Sequence, residues 1–146
     1  MNLFGLLQIS GSALLAERER AELSASNLAN SETTRTIEGG PYTRQNVVFA
    51  ARHPISTRFA ATLASFTDLH TQGVQVVGVF QDPSAPVRRY DPGHPDADAT
   101  GYVSFPNVNP VEESVNLVEA ARSYQLNISA IQTTKAMIQS SISIVQ

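Results

Sequence analysis

The sequence predicts an α+β fold: N- and C-terminal helices packed together in a coiled-coil-like stem, with a small β-rich insert between them. Three observations carry that prediction. Both ends follow heptad-like apolar spacing. Charge is nearly absent from them, since residues 1–16 have no charged side chain and residues 123–146 have only Lys135. All eight prolines, and every glycine except Gly5 and Gly11, fall between Gly39 and Pro110.

The N-terminal helix is expected over residues 1–30. Leu3, Leu7, Leu14, Ala21 and Leu28 follow a heptad, with Ser10, Glu17 and Ser24 at the intervening positions. Leu6, Ile9, Ala13, Ala16 and Leu23 form a second stripe. The helix should stop in SNLANSETT, where Asn27 and Asn30 can cap it or enter the left-handed region.

The insert spans residues 31–110. Its Gly and Pro punctuation argues against long helices. TRQNVVF (43–49), GVQVVGVF (73–80) and GYVSF (101–105) are β-branched and aromatic runs between turn residues, which predicts strands. FAATLASFTDLH (59–70) fits a short helix or an ordered loop equally well. Arg88-Arg89 is the only adjacent basic pair at neutral pH and is expected in a solvated turn.

The C-terminal helix is expected over residues 111–146. Asn109 supplies the cap and Pro110 the first helical position. Glu112 and Glu113 in the first turn complement the helix dipole. Further along, Ile128, Ile131, Ile138, Ile142 and Val145 form one seam, with Lys135 in its gap. Leu126, Ala130, Met137 and Ile144 form another, offset by about 200° round the helix. One partner helix covers one seam. Two seams on nearly opposite sides therefore imply protein on both sides of the helix. Within EAARSYQLN, Arg122 and Tyr124 have two readings. One is a Glu119–Arg122 ion pair with a Tyr on the core; the other is a contact with a neighbouring subunit, where both residue types are enriched.

No catalytic constellation stands out. Asp96, Asp98, Thr100 and Gly101 match the early positions of a calcium loop, but Asn107 stands where a bidentate Glu belongs. A turn held by side chain to backbone hydrogen bonds is expected there. His53, His70 and His94 lack ligand spacing. No metal, cofactor or enzyme activity is expected. Net charge is −3 with no basic stripe, which argues against nucleic-acid binding. No apolar run is long enough to span a membrane. The start has no basic n-region of a cleaved signal peptide. Cysteine is absent, so disulfide and thiolate chemistry are excluded. Charged residues are only 16% of the chain, a composition that favours association.

SALLAERERAELSASNLANSETTRT, with its Asn27-Leu28-Ala29-Asn30 signature, resembles the N-terminal motif of flagellar rod and hook axial proteins. NPVEESVNLVEAARSYQLNISAIQTTKAMI is similar to their paired C-terminal motif, matching at Glu113, Val115, Asn116, Ala120, Arg122, Tyr124, Gln125, Asn127, Thr134, Lys135 and Met137. YDPGHPDADATGYVSFPNVNP and TTRTIEGGPYTRQNVVF resemble the short proximal-rod members. SETT departs from the family's Thr-Pro-Gly-Tyr turn, and Ser114 stands where an apolar residue is usual. The resemblance implies a structural subunit of a hollow, torque-transmitting rod in the periplasm. It implies type III export without a cleaved signal. The partners would be other rod subunits, copies of the same chain and the export apparatus. Subunit contacts are then expected at Leu7, Leu14, Asn27, Leu28, Asn30, Arg122, Tyr124, Asn127, Ile128, Ile131, Met137, Ile138 and Ile142. The rival reading is a helical adaptor or chaperone that binds a single partner.

Overall fold

The N-terminal heptad becomes α1, a helix over Leu3–Ala29. A computed structural model describes residues 3–52 and 73–144 of the chain. After α1 come β1 (Gln45–Ala51), β2 (Val74–Gln81), β3 (Val87–Tyr90), β4 (Tyr102–Phe105) and α2 (Pro110–Ile144). The two helices pack against each other, and β1 and β2 lie along α1. The expected α+β architecture is therefore what forms. The stretch 59–70, left open between helix and loop, lies outside the described residues.

α1 ends where expected, and the reason is local. The Asn30 side chain donates to the Ser26 carbonyl at 2.9 Å, and the Ser31 hydroxyl donates to Leu28 O at 2.8 Å. Carbonyls of the last turn thus find partners outside the helix ladder. α2 begins with the Asn-Pro device: the Val111 amide donates to Asn109 Oδ1 at 3.1 Å. A 35-residue helix rises about 52 Å, and the 27-residue α1 about 40 Å.

The strands form two separate antiparallel pairs, β1 with β2 and β3 with β4. In the first, Val47 faces Val79 and Gln45 faces Gln81, with a bulge at Val48/Phe49. This hairpin is pinned to α1 at Gly73, just before β2. The Ser12 hydroxyl donates to Ile9 O and accepts from the Val74 amide at 3.0 Å. A Cβ on Gly73 would stand 2.5 Å from Ser12 Oγ. Only glycine lets the strand come so near the helix.

β3 corrects the sequence reading of Arg88-Arg89 as a turn. Both arginines are strand residues, paired with Ser104 and Val103. Their guanidinium groups lie over aromatic rings of β4: Arg88 over Tyr102 at 5.2 Å and Arg89 over Phe105 at 4.5 Å. Cation–π contact and cross-strand stacking compensate for weak strand propensity. The β3–β4 connection is tied by Asp98. Its Oδ1 accepts from the Thr100 hydroxyl at 2.6 Å, the Thr100 amide at 2.8 Å and the Tyr102 amide at 3.0 Å, and Oδ2 accepts from Arg88 at 2.6 Å. The DADATG segment is thus the hydrogen-bonded turn that the sequence predicts. Asp96 serves elsewhere, accepting from the Thr34 hydroxyl at 2.8 Å and so joining the 33–42 turn to this one.

These bonds make two predictions. The Thr100 hydroxyl, the Tyr102 and Thr100 amides and Arg88 hold the Asp98 carboxyl down to about 2. A depressed carboxyl contributes stability above its unfolded pKa and loses it as pH falls through the folded one. The Thr100 and Tyr102 amide resonances should therefore titrate with a midpoint near 2, well below the 3.8 of a free Asp. Gly73→Val should destabilise the chain by about 1–3 kcal/mol through overpacking against Ser12, read as a lower urea midpoint.

Candidate assembly interface

The base of the helical pair is polar and buried. Asn27 of α1 is 2% exposed and Glu113 of α2 is 1% exposed. Asn27 Nδ2 donates to Gln45 O at 2.8 Å and to Glu113 Oε2 at 3.3 Å. Its Oδ1 accepts from the Tyr42 hydroxyl and the Gln45 amide, both at 2.9 Å. Glu113 Oε1 receives Arg44 Nε at 2.7 Å and Nη2 at 2.6 Å, and Arg44 Nη2 also reaches Glu112 at 3.0 Å. Burial opposes the Arg44 charge, but hydrogen bonds and field from Glu113 and Glu112 more than offset it, so its pKa is raised. Every polar atom of Asn27 is thus occupied within the chain.

Above this cluster the seam is made of small and polar groups. Ser10, Ala16 and Ser24 are buried on α1, and Ala120 and Thr134 on α2. The Thr134 hydroxyl turns back to Ala130 O at 2.8 Å, and Asn127 donates to Ser123 O at 2.9 Å. Arg20 Nη2 bonds Glu119 Oε2 across the pair at 3.1 Å. With Asn27 opposite Glu113 and Arg20 opposite Glu119, the helices run antiparallel. α2 is eight residues longer and begins level with the end of α1. Its last two turns therefore pass beyond Leu3, the first described residue.

The residues expected at subunit contacts divide sharply. Leu7, Leu14 and Leu28 are half-buried on the same heptad as Ser10 and Ser24. Ile128, Ile131, Asn127 and Ile138 are half-buried around the stripe that carries Ala120 and Thr134. Asn27 is turned wholly inward within the chain. Its amide matches the hydrogen-bonding edge of β1 and a buried carboxylate, which no external surface could replace cheaply. Asn30 is half-buried and committed to capping. The exposed members are Arg122, Tyr124, Met137 and Ile142. The Glu119–Arg122 pair does not form, because Glu119 is taken by Arg20. Arg122 has no ion-pair partner among the described residues.

Large apolar side chains stay in water on both helices. On α2, Leu126 is 72% and Met137 53% exposed, in one row with Ala130 and roughly 100° from the buried stripe. Val111, Val115 and Val118 continue the exposure along the first turns. On α1, Phe4 is 75% and Leu15 70% exposed, on the side facing neither α2 nor the hairpin. The sequence reading placed Leu126 and Met137 together in its second seam and passed over Phe4 and Leu15, which lie off both stripes of α1. Gln125, Gln132 and Gln139 form an exposed row on a third side of α2. Among the described residues no helix is long and apolar enough to cross a membrane.

Residues 99–144 match the family model described as flagellar basal body rod FlgEFG protein C-terminal. The "Flagellar basal-body rod protein FlgC" of Borreliella burgdorferi is 38% identical over 151 residues, covering 100% of this chain and 99% of that protein. The protein of the same name from Salmonella typhimurium is 37% identical over 146 residues and all of both chains. That of Bacillus subtilis is 38% identical over 148 residues, 99% of each. Similarity at this level over whole lengths shows that the chain belongs to the FlgC family of flagellar basal-body rod proteins.

Proposed function

We propose that this chain is a structural subunit of the proximal part of the flagellar basal-body rod. There its two helices pack among those of neighbouring subunits in a hollow, torque-transmitting shaft. The observation that carries this reading is the row Leu126–Ala130–Met137. It lies on a face of α2 that neither α1 nor the sheets occupy, in a helix segment with Lys135 as its one charge. A helix destined for water has a charged outer face. Exposed large aliphatics without flanking charge mark a surface that is covered in use.

In this reading Arg122, Tyr124, Met137 and Ile142 contact adjacent chains directly. Leu7, Leu14, Leu28, Asn27, Asn30, Asn127, Ile128, Ile131 and Ile138 act from within, setting the helix pair that presents those contacts. The partners are other rod subunits and copies of the chain, reached after type III export to the periplasm without a cleaved signal. Catalysis has no part in the role. The adaptor alternative predicts a charged outward face and one stable heterodimer, and the FlgC family membership favours the rod instead.

Two outcomes test the proposal. Met137→Asp places an unneutralised carboxylate in the covered row, where burying it opposes association by several kcal/mol. The variant should be exported and folded, with wild-type circular dichroism, yet absent from purified basal bodies, and the cells should not swim. Motile cells with Met137→Asp in their rods would show that this row is solvated.

Deletion of residues 139–146 removes Ile142 from the overhang beyond α1. A fully buried large aliphatic is worth about 1.5–3 kcal/mol, and the overhang carries more than one. The truncated chain should keep its β-sheet signal and reach the periplasm but fail to incorporate. Swimming cells with the truncated protein in their rods would contradict the role given to the overhang.

A further inference from the structure

The β1–β2 hairpin is the strand pair through which the insert meets the helices. Among the described elements, β1 and β2 pack on α1, β3 and β4 pack on neither helix, and α2 packs on no strand. Yet no residue of β1 or β2 is fully buried. Val47, Val74 and Val76 are only half-buried. Apolar contact is non-directional, and a thin layer of it leaves a strand free to slide or swivel on a helix.

Directional bonds sit instead at the two ends of the ladder, where Gln45 faces Gln81 and Ala51 faces Val74. At the first end Asn27 holds both backbone groups of Gln45. Its Nδ2 donates to Gln45 O at 2.8 Å, and its Oδ1 accepts from the Gln45 amide at 2.9 Å. Arg44, one residue earlier, ties the same end to Glu112 and Glu113 of α2. At the second end the Ser12 hydroxyl donates to Ile9 O at 2.7 Å, which leaves its oxygen aimed at the Val74 amide, 3.0 Å away. The Arg52 amide donates to Gly73 O at 2.7 Å, so both strands are gathered at that point. The lengths agree. The 7 residues of β1 span about 20 Å. Ser12 and Asn27 stand about 22 Å apart along α1.

We infer that Ser12 and Asn27 are the two pins of a mount that fixes the direction of the hairpin on α1 in the assembled subunit, and so carries load between the helices and the insert. The inference rests on the torque-transmitting rod proposed above and makes no demand on the chain before assembly. One pin alone is a pivot, about which the hairpin can swing while keeping its bond. Two pins a ladder's length apart fix direction as well as position. Gly73 belongs to the Ser12 pin, since a side chain there would push Val74 out of reach of the hydroxyl. Asn27 also serves Tyr42 and Glu113, so its loss would disturb more than the mount. The Ser12 hydroxyl serves Ile9 and Val74 among the described contacts, which makes it the pin to test.

Ser12→Ala keeps a good helix former and removes only this bond. Cells carrying it should contain the chain in purified basal bodies and swim normally in dilute medium. They should stop at a viscosity in which unmodified cells still swim. Ser12→Cys with Gly73→Cys replaces the hydrogen bond by a disulfide. The chain has no cysteine of its own, and a Cβ on Gly73 would lie 3.1 Å from Ser12 Cβ, a few tenths of an ångström inside the usual disulfide spacing. In the oxidising periplasm these cells should swim in viscous medium, and they should stop there when a reductant is added. Unmodified cells should ignore the reductant. Ser141→Ala, which removes a hydroxyl bonded to Met137 O of its own helix, should change nothing. Ser12→Ala cells as fast as unmodified ones at every viscosity would overturn the mount, as would indifference of the paired variant to reductant. Absence of the Ser12→Ala chain from basal bodies would overturn it too, because the pin would then serve incorporation and not load. Absence of the unmodified chain from basal bodies would instead overturn the rod reading itself.

Discussion

The structure turns on a carboxylate buried at the start of a helix. Glu113 is satisfied only because Arg44, at the entry to β1, and Asn27, near the end of α1, converge on it. Three segments distant in sequence are thereby fixed at one point. The direction of α2, the seating of the β1–β2 hairpin and the level at which the helices begin all follow. A buried charge demands partners with a stringency that apolar contacts lack. Here the fully buried residues of the helical seam are small, Ser10, Ala16, Ser24, Ala120 and Thr134, and the large aliphatics beside them are only half-buried.

The helical pair has two halves of different character. Near the base, Arg18–Glu22 and Arg20–Glu17 pair along α1, Arg20 reaches Glu119 across to α2, and Arg44, just before β1, holds Glu112 and Glu113. Before Glu17 on α1 and beyond Arg122 on α2, the described helices carry only Lys135 as a charged side chain. The base is suited to water and self-sufficient. The upper half carries exposed large apolar side chains, Phe4, Leu15, Leu126 and Met137, with little charge beside them. Helices of this kind draw their stability from packing more than from propensity.

Much of this was legible in the sequence, element by element. Heptad spacing with sparse charge located both helices. Asn109-Pro110 located the start of α2, and the Gly–Pro punctuation bounded the insert. β1, β2 and β4 showed as β-branched and aromatic runs. β3 did not, because VRRY owes its strand to rings supplied by β4, and such a long-range pairing leaves no local pattern. Asn27 was legible as important but not as buried. Its role depends on Gln45 and Glu113, which the sequence places 18 and 86 residues away. Phe4 and Leu15 were missed because they lie off both apolar stripes of α1, whereas Leu126 was legible beside Met137 on the second seam of α2.

The central claim is that the Leu126–Ala130–Met137 row is covered in the rod and wet in the free subunit. Because the chain has no cysteine, single thiols report on it directly. Met137→Cys and Gln132→Cys would each be labelled with a small maleimide, as free protein and in purified basal bodies from motile cells. Both should react quickly in the free subunit, where both positions are exposed. In basal bodies the thiol at 137 should be strongly protected. Reaction at 137 as fast in basal bodies as in the free subunit would contradict the account.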